Sequence, residues 1–162
     1  MTGEPSRAPA GVRLRAELPA EWREAVEDLL FFNPQQARLE EKILETIHAF
    51  GLPKVVARDG RLGIEVGDGL RLGTLFAMAE RDGESQLAGL LLFLRQGTEL
   101  LCLHLSVDEE YSARGPRASL RVAAHLLDEV RRIGARIAGV EHIGIYYRRE
   151  GWYKLPLKTR LL

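Results

Sequence analysis

Between residues 54 and 107 the chain is cut at short, regular intervals by turn-forming glycines, and this run constrains the fold more than any other feature. Arg58-Asp59-Gly60, Gly67-Asp68-Gly69, Arg81-Asp82-Gly83 and Arg95-Gln96-Gly97 separate stretches that are mostly apolar. An Asp-Gly pair supplies two residues that tolerate positive φ, which the tight turns matching the twist of a β-hairpin require. The spacing predicts strands at 54–58, 61–66, 71–80, 86–95 and 99–107, joined as a meander. Residues 87–94 are apolar throughout, interrupted only by Gly89. A strand of that kind needs cover on both faces.

The flanks supply the cover. Residues 1–11 carry prolines and charges without an apolar segment and read as a mobile tail that is no secretory signal. Residues 12–18 alternate apolar and charged side chains, as a half-buried strand does. Trp22, Val26, Leu29 and Leu30 form the stripe of a first helix. Asn33, Pro34 and Gln36 then give a cap, a first helical position and a capping-box partner. That second helix buries Leu39, Ile43, Ile47 and Phe50 and ends at Gly51 and Pro53. A third helix is expected at 116–133, with Leu120, Ala123, Leu127 and Val130 on one face and Gly134 as its stop. A short apolar strand at 136–140, a short helix at 141–150 and a strand after Gly151 complete the outline. The expected class is α/β (α+β): a central, mixed, mostly antiparallel twisted sheet with helices on both faces, residues 12–162 forming one domain.

The totals remove several classes of function. Lysine plus arginine equals aspartate plus glutamate, 23 each, so no global field draws the chain to nucleic acid or an anionic membrane. Cys102 is the only cysteine, which excludes a disulfide framework and a cysteine-based zinc site. The four histidines have no close ligand spacing, so no metal is expected. No apolar run is long enough to span a bilayer, and a cytoplasmic protein is the default expectation.

Two joins carry a resemblance. The first is Leu105-Ser106-Val107-Asp108-Glu109-Glu110-Tyr111-Ser112-Ala113-Arg114-Gly115, an apolar strand end running through an acidic loop to a glycine. The second is Tyr146-Tyr147-Arg148-Arg149-Glu150-Gly151-Trp152. Together with the order of elements, they resemble the GNAT superfamily of acyl-CoA-dependent N-acyltransferases over about residues 12 to 160. Counted from Val107, Tyr111 and Gly115 fall where that family has its tyrosine and first loop glycine. The pattern departs at Ser112, where the family has Arg or Gln, and at Arg117, where it has a second glycine. The segment before Tyr147 is also short, and Val140 and Ile143 replace the family's frequent Asn and Ala.

The resemblance implies acetyl-CoA or another acyl-CoA as co-substrate and a small-molecule or peptide amine as acceptor. Nucleic acid and membrane partners are not implied, and a homodimer stays open. The cofactor would lie along Leu105, Ser106, Val107, Ser112, Ala113, Arg114, Gly115, Pro116, Arg117 and Ala118. Such a join aims backbone N–H groups and a helix dipole at a diphosphate. Arg114, Arg117 and Arg121 could replace by side-chain charge what the missing glycine withdraws; equally, they could be a solvated helix start.

Acyl transfer to an amine needs a base, a polarised carbonyl and an acid for the leaving thiolate. By resemblance, Tyr147 stands where many family members keep the acid. For the base the strand at 99–107 offers Glu99 and His104, which strict alternation sends to opposite faces. His104 could equally be a hydrogen-bonded core residue and Glu99 an exposed turn carboxylate. Asp108, Glu109 and Glu110 could attract a cationic amine or be a solvated loop. The alternative to an enzyme is a GNAT-like fold without catalysis, serving as a binding or regulatory module.

Overall fold

The computed structural model describes residues 11–33, 47–148 and 151–157, of which 146–148 and 151–155 are described by backbone alone. Residues 1–10 and most of the expected second helix, with Leu39 and Ile43, lie outside these. Residues 47–50 are helical.

Six strands make the main sheet, in the order β1 (Arg13–Arg15), β6 (Gly73–Arg81), β7 (Glu84–Gln96), β8 (Glu99–Val107), β9 (His142–Arg148), β10 (Gly151–Pro156). All neighbours are antiparallel except β8 and β9, which run parallel. A parallel pair needs a crossover, and helix α2 (Val122–Arg136) lies within it. β1 apart, the strands before residue 72 form a second sheet, β2 (Leu18–Pro19), β4 (Arg61–Val66), β3 (Lys54–Arg58), with β5 (Leu70–Arg71) also paired to β4, so the one strand expected at 12–18 is split between the two sheets. The turn-bounded strands therefore exist, but they are divided between two sheets. At the β3–β4 and β6–β7 turns both residues of the Asp-Gly pair take positive φ, 52° and 73° at Asp59 and Gly60, 51° and 81° at Asp82 and Gly83, whereas in the β4–β5 turn it is Gly67 and Gly69 that do, at 56° and 101°.

β7 carries a residue of each core in turn. Leu90 and Leu92 pack with Val26, Leu29 and Leu30 of helix α1 (Arg23–Phe31), with Phe76, and with Leu62 and Ile64 of the second sheet. Leu91 packs instead with Val122, Leu126 and Val130 of α2 and with Ile143. The helices thus cover opposite faces, as the apolar run at 87–94 requires. Leu90, Leu91 and Leu92 are at most 1% exposed, and burying each contributes about 1.5–3 kcal/mol. The fold is α+β with a mostly antiparallel main sheet. No helix of the described residues is long and apolar enough to cross a membrane.

Three expectations fail after β8. The helix expected at 116–133 begins six residues later, at Val122, and its buried stripe is Val122, Leu126 and Val130 rather than Leu120, Ala123, Leu127 and Val130. It also runs through Gly134, which is buried within it under Ile143 and Leu157. No strand forms at 136–140: Arg136 is the last residue of the helix, and 137–140 follow it as a turn with Gly139 at φ 84°. Of the helix expected at 141–150, residues 142–148 are instead strand β9, and 149 and 150 lie outside the described residues. Ile143 and Ile145 are 0% and 6% exposed in the α2-side core; two positions apart, they share a face only in a strand.

Candidate functional site

The join from β8 to α2 folds upon itself. Asp108 caps a 3-10 turn (Glu109–Tyr111), its carboxylate accepting from the Glu110 N–H at 3.0 Å. Tyr111 is 3% exposed, and its hydroxyl donates to Gln86 Oε1 at 3.1 Å. Burial holds its phenol above the usual value, Arg117 pulls it down, and Glu110 and Asp108 push it up again. Buried Ser112 donates from Oγ to the Glu109 carbonyl at 2.8 Å. The amides of Gly115, Arg117, Ala118, Leu120 and Arg121 donate to the carbonyls of Ser112, Glu110, Gly115, Arg117 and Ala118, at 2.9–3.2 Å.

Gly115 is required here for a reason other than ligand approach. A Cβ at this position would lie 2.3 Å from the Glu109 carbonyl oxygen and 2.4 Å from that of Glu110. The glycine lets the loop close on its own backbone. Pro116, Arg117 and Ala118 continue the loop and do not open the helix. A second 3-10 turn (Ala118–Leu120) follows, and Arg121 then takes a left-handed conformation, φ 51° and ψ 49°, as α2 starts.

Of the three arginines expected to replace the second glycine, Arg117 is engaged. Its Nε is 3.8 Å from Glu110 Oε2, its Nη1 donates to the Glu80 carbonyl at 3.4 Å, and its guanidinium lies 6.0 Å from the Tyr111 ring centre. Glu110 is also paired with Arg81. Arg114 and Arg121 are exposed, and neither has an ion pair with a described residue. Beside Arg121, the first three amides of α2 have no helical partner, because its internal bonds begin with His125 N–H to Arg121 O at 3.1 Å.

At the end of β8 the sheet opens. The β8–β9 ladder runs from Glu99↔His142 to Cys102↔Ile145 and stops, although β8 continues to Val107 and β9 to Arg148. Leu103 is a bulge: Leu92 of β7 pairs with His104 and Phe93 with Cys102. A bulge bends its strand and resets the alternation of side chains. His104 therefore shares the α1 face with Leu103, as its partner Leu92 does. Glu99, opposite Gln96, falls on that face too, where strict alternation sends the pair to opposite sides. Five residues still separate them, about 16 Å along a strand.

His104 is the one described residue with a buried side-chain polar atom that has no hydrogen-bond partner, Nε2. Burial lowers its pKa to about 4, so it is a neutral imidazole at pH 7 and a poor base there. Burial raises the Cys102 thiol to about 12, leaving it protonated and inert. Tyr147 lies in β9, two residues past the last one paired with β8; its side chain is outside the described residues.

Ser106 and Val107 are tied to α1. The Ser106 hydroxyl donates to the Leu29 carbonyl at 2.7 Å, and the Asn33 amide donates to Ser106 Oγ at 2.7 Å and to the Val107 carbonyl at 2.8 Å. Asn33 is 7% exposed. In the sequence it reads as a helix cap, and nothing there signals a partner 73 positions away.

Beside this knot, on the α1 face, lies a cleft of about 420 Å³. Ala25, Leu29 and Leu87 give it an apolar floor, and Trp22 and Phe32 stand at its wall. Asn33, Ser85 and Gln86 add polar atoms; Asp28, Asp108 and Glu109 add carboxylates. Neither Glu99 nor His104 lines it. No family model, no curated protein and no solved structure matches the chain.

Proposed function

We propose that the chain is a GNAT-like N-acyltransferase, moving an acetyl or other acyl group from acyl-CoA directly to an amine. The observation that carries this reading is the opening of the parallel β8–β9 pair from the Leu103 bulge onward, with α2 in the crossover between its strands. In the family the chain resembles, the strand end that parts from its neighbour hydrogen-bonds the pantetheine arm. The corresponding backbone here is Leu103 to Val107, which has no ladder partner on the β9 side. The anionic end of the cofactor would meet Arg114, Arg121 and the first amides of α2, since Arg117 and the Gly115 loop are already bonded. Tyr147 keeps its proposed role as the acid from its position just past Ile145. His104, neutral at pH 7, suits a hydrogen-bond acceptor better than a general base.

A second reading, a GNAT-like module that binds or regulates without catalysis, is favoured by the closed loop. Its amides are taken by its own carbonyls and its middle arginine by Glu110. Acetyl-CoA separates the two. A ligand held only by the native state adds about 2.7 kcal/mol of stability at a hundred times its Kd. For a chain of this size each kcal/mol raises Tm by about 2–4 °C. The enzyme reading expects a concentration-dependent rise of that order, lost in Arg114→Glu/Arg121→Glu, together with bound CoA in native mass spectra. No rise at millimolar acetyl-CoA, and no acyl transfer to any amine of a broad panel, would leave the module.

A further inference from the structure

The cleft between α1 and the end of β8 has a composition unlike the chain as a whole. The net charge of the protein is zero, yet the described residues of this wall include three carboxylates, Asp28, Asp108 and Glu109, and no lysine, arginine or histidine. The neighbouring acid Glu110 is neutralised by Arg81 and Arg117. Asp28 and Glu109 are exposed, and neither carboxylate bonds a described residue. The Asp108 carboxylate accepts a backbone N–H and keeps acceptor capacity. Phe32 is 75% exposed at the same wall, and Trp22 is half-buried beside it.

We propose that this cleft binds a small organic cation, an ammonium group carried on an apolar body. The carboxylates meet the charge, and the aromatic rings and the Leu29 and Leu87 floor meet the carbon skeleton. A bare metal ion fits less well. No three His, Cys, Asp or Glu side chains among the described residues come close enough together to hold one, and two aromatic rings offer a metal nothing. A volume of about 420 Å³ suits a molecule of arylalkylamine size. Beside this floor, hydrogen bonds of Asn33 and Ser106 fasten the end of α1 to the end of β8. That this cation is the acyl acceptor rests on the acyltransferase reading; that the cleft binds it does not.

The test is calorimetric titration of the full chain, without acyl-CoA, using phenethylamine, the neutral 2-phenylethanol and the anionic phenylacetate. Phenethylamine should bind at millimolar or lower Kd, at least about tenfold tighter than 2-phenylethanol, and phenylacetate not at all. Asp28→Asn/Glu109→Gln should weaken phenethylamine about tenfold or more while Tm stays unchanged, as expected for two exposed side chains. Equal binding of amine and alcohol, equal binding by the double variant, or no amine binding at about 10 mM overturns the proposal. So does calcium binding abolished by the same substitutions. Because acyl-CoA is omitted, its failure to bind elsewhere leaves this result standing.

Discussion

Gly115→Ala separates a loop packed on itself from a loop kept bare for a ligand. The added Cβ would lie 2.3 Å and 2.4 Å from two backbone oxygens, about 0.7 and 0.6 Å inside the 3.0 Å that real contacts respect. Both obstacles are main chain and cannot rotate away as a side chain would. The Glu109–Glu110 segment must move, and it holds the carbonyls that accept from Ser112 and Arg117. Overpacking costs about 1–3 kcal/mol, and each weakened hydrogen bond adds about 0.5–1.5 kcal/mol. A loss of about 2–4 kcal/mol is expected, a drop in Tm of roughly 5–15 °C for a chain of this length. Urea titration should show a lower midpoint with an unchanged slope. Gly97→Ala is the control: its φ is 60° with nothing within 4 Å, so it should cost only the left-handed penalty of about 1 kcal/mol. If Gly115→Ala is as stable as the parent protein and loses only acetyl-CoA affinity, the loop is open and the packing argued here is wrong.

His104 makes stability depend on pH. Its folded pKa, about 4, lies below the unfolded value of about 6.5, so the unfolded chain binds the extra proton first. The stability tied to the neutral ring is intact above pH 6.5 and declines as pH falls toward 4, by up to about 3 kcal/mol. His104→Leu should flatten that part of a Tm-against-pH curve and raise Tm at pH 5; an unaltered curve would locate the titration elsewhere. Cys102, with its thiol raised to about 12, should resist Ellman's reagent at pH 8 in the native state and react at once in urea. Rapid native labelling would mean that the strand it sits on opens.

What could be read from the sequence was local. The strands between residues 54 and 107 were legible because each hairpin is written in a few adjacent residues, Asp59-Gly60 and Asp82-Gly83 above all. The two-sided burial of β7 was legible because apolar residues at consecutive positions leave no face for water. The division into two sheets was not, since β5 ends at Arg71 and β6 begins at Gly73 with only Leu72 between them. β9 was missed because its identity as a strand depends on pairing with β8, some forty residues away, rather than on a long pattern of its own.

The same division holds at the site, and it explains why the motif at Gly115 pointed two ways. A glycine in a loop before a helix satisfies either a ligand or the loop's own carbonyls, and the residue type is identical in both cases. The arginine at 117 could be read as compensation only while the position of Glu110 was unknown; with Glu110 beside it, the guanidinium is already paired, sharing that carboxylate with Arg81. The bulge at Leu103 leaves no trace in this leucine-rich strand, yet it turns His104 onto the α1 face and lies at the first β8 residue past the β9 ladder. The opening is therefore a property of the sheet's register rather than of the loop motif. Closing the loop does not close it: the ladder ends at Cys102 and Ile145 whether or not Gly115 meets a phosphate. An acyl arm could be accepted between the strands even where the diphosphate is held by different groups from those the motif suggests, and that is why acetyl-CoA binding and Gly115→Ala stability have to be measured as separate quantities.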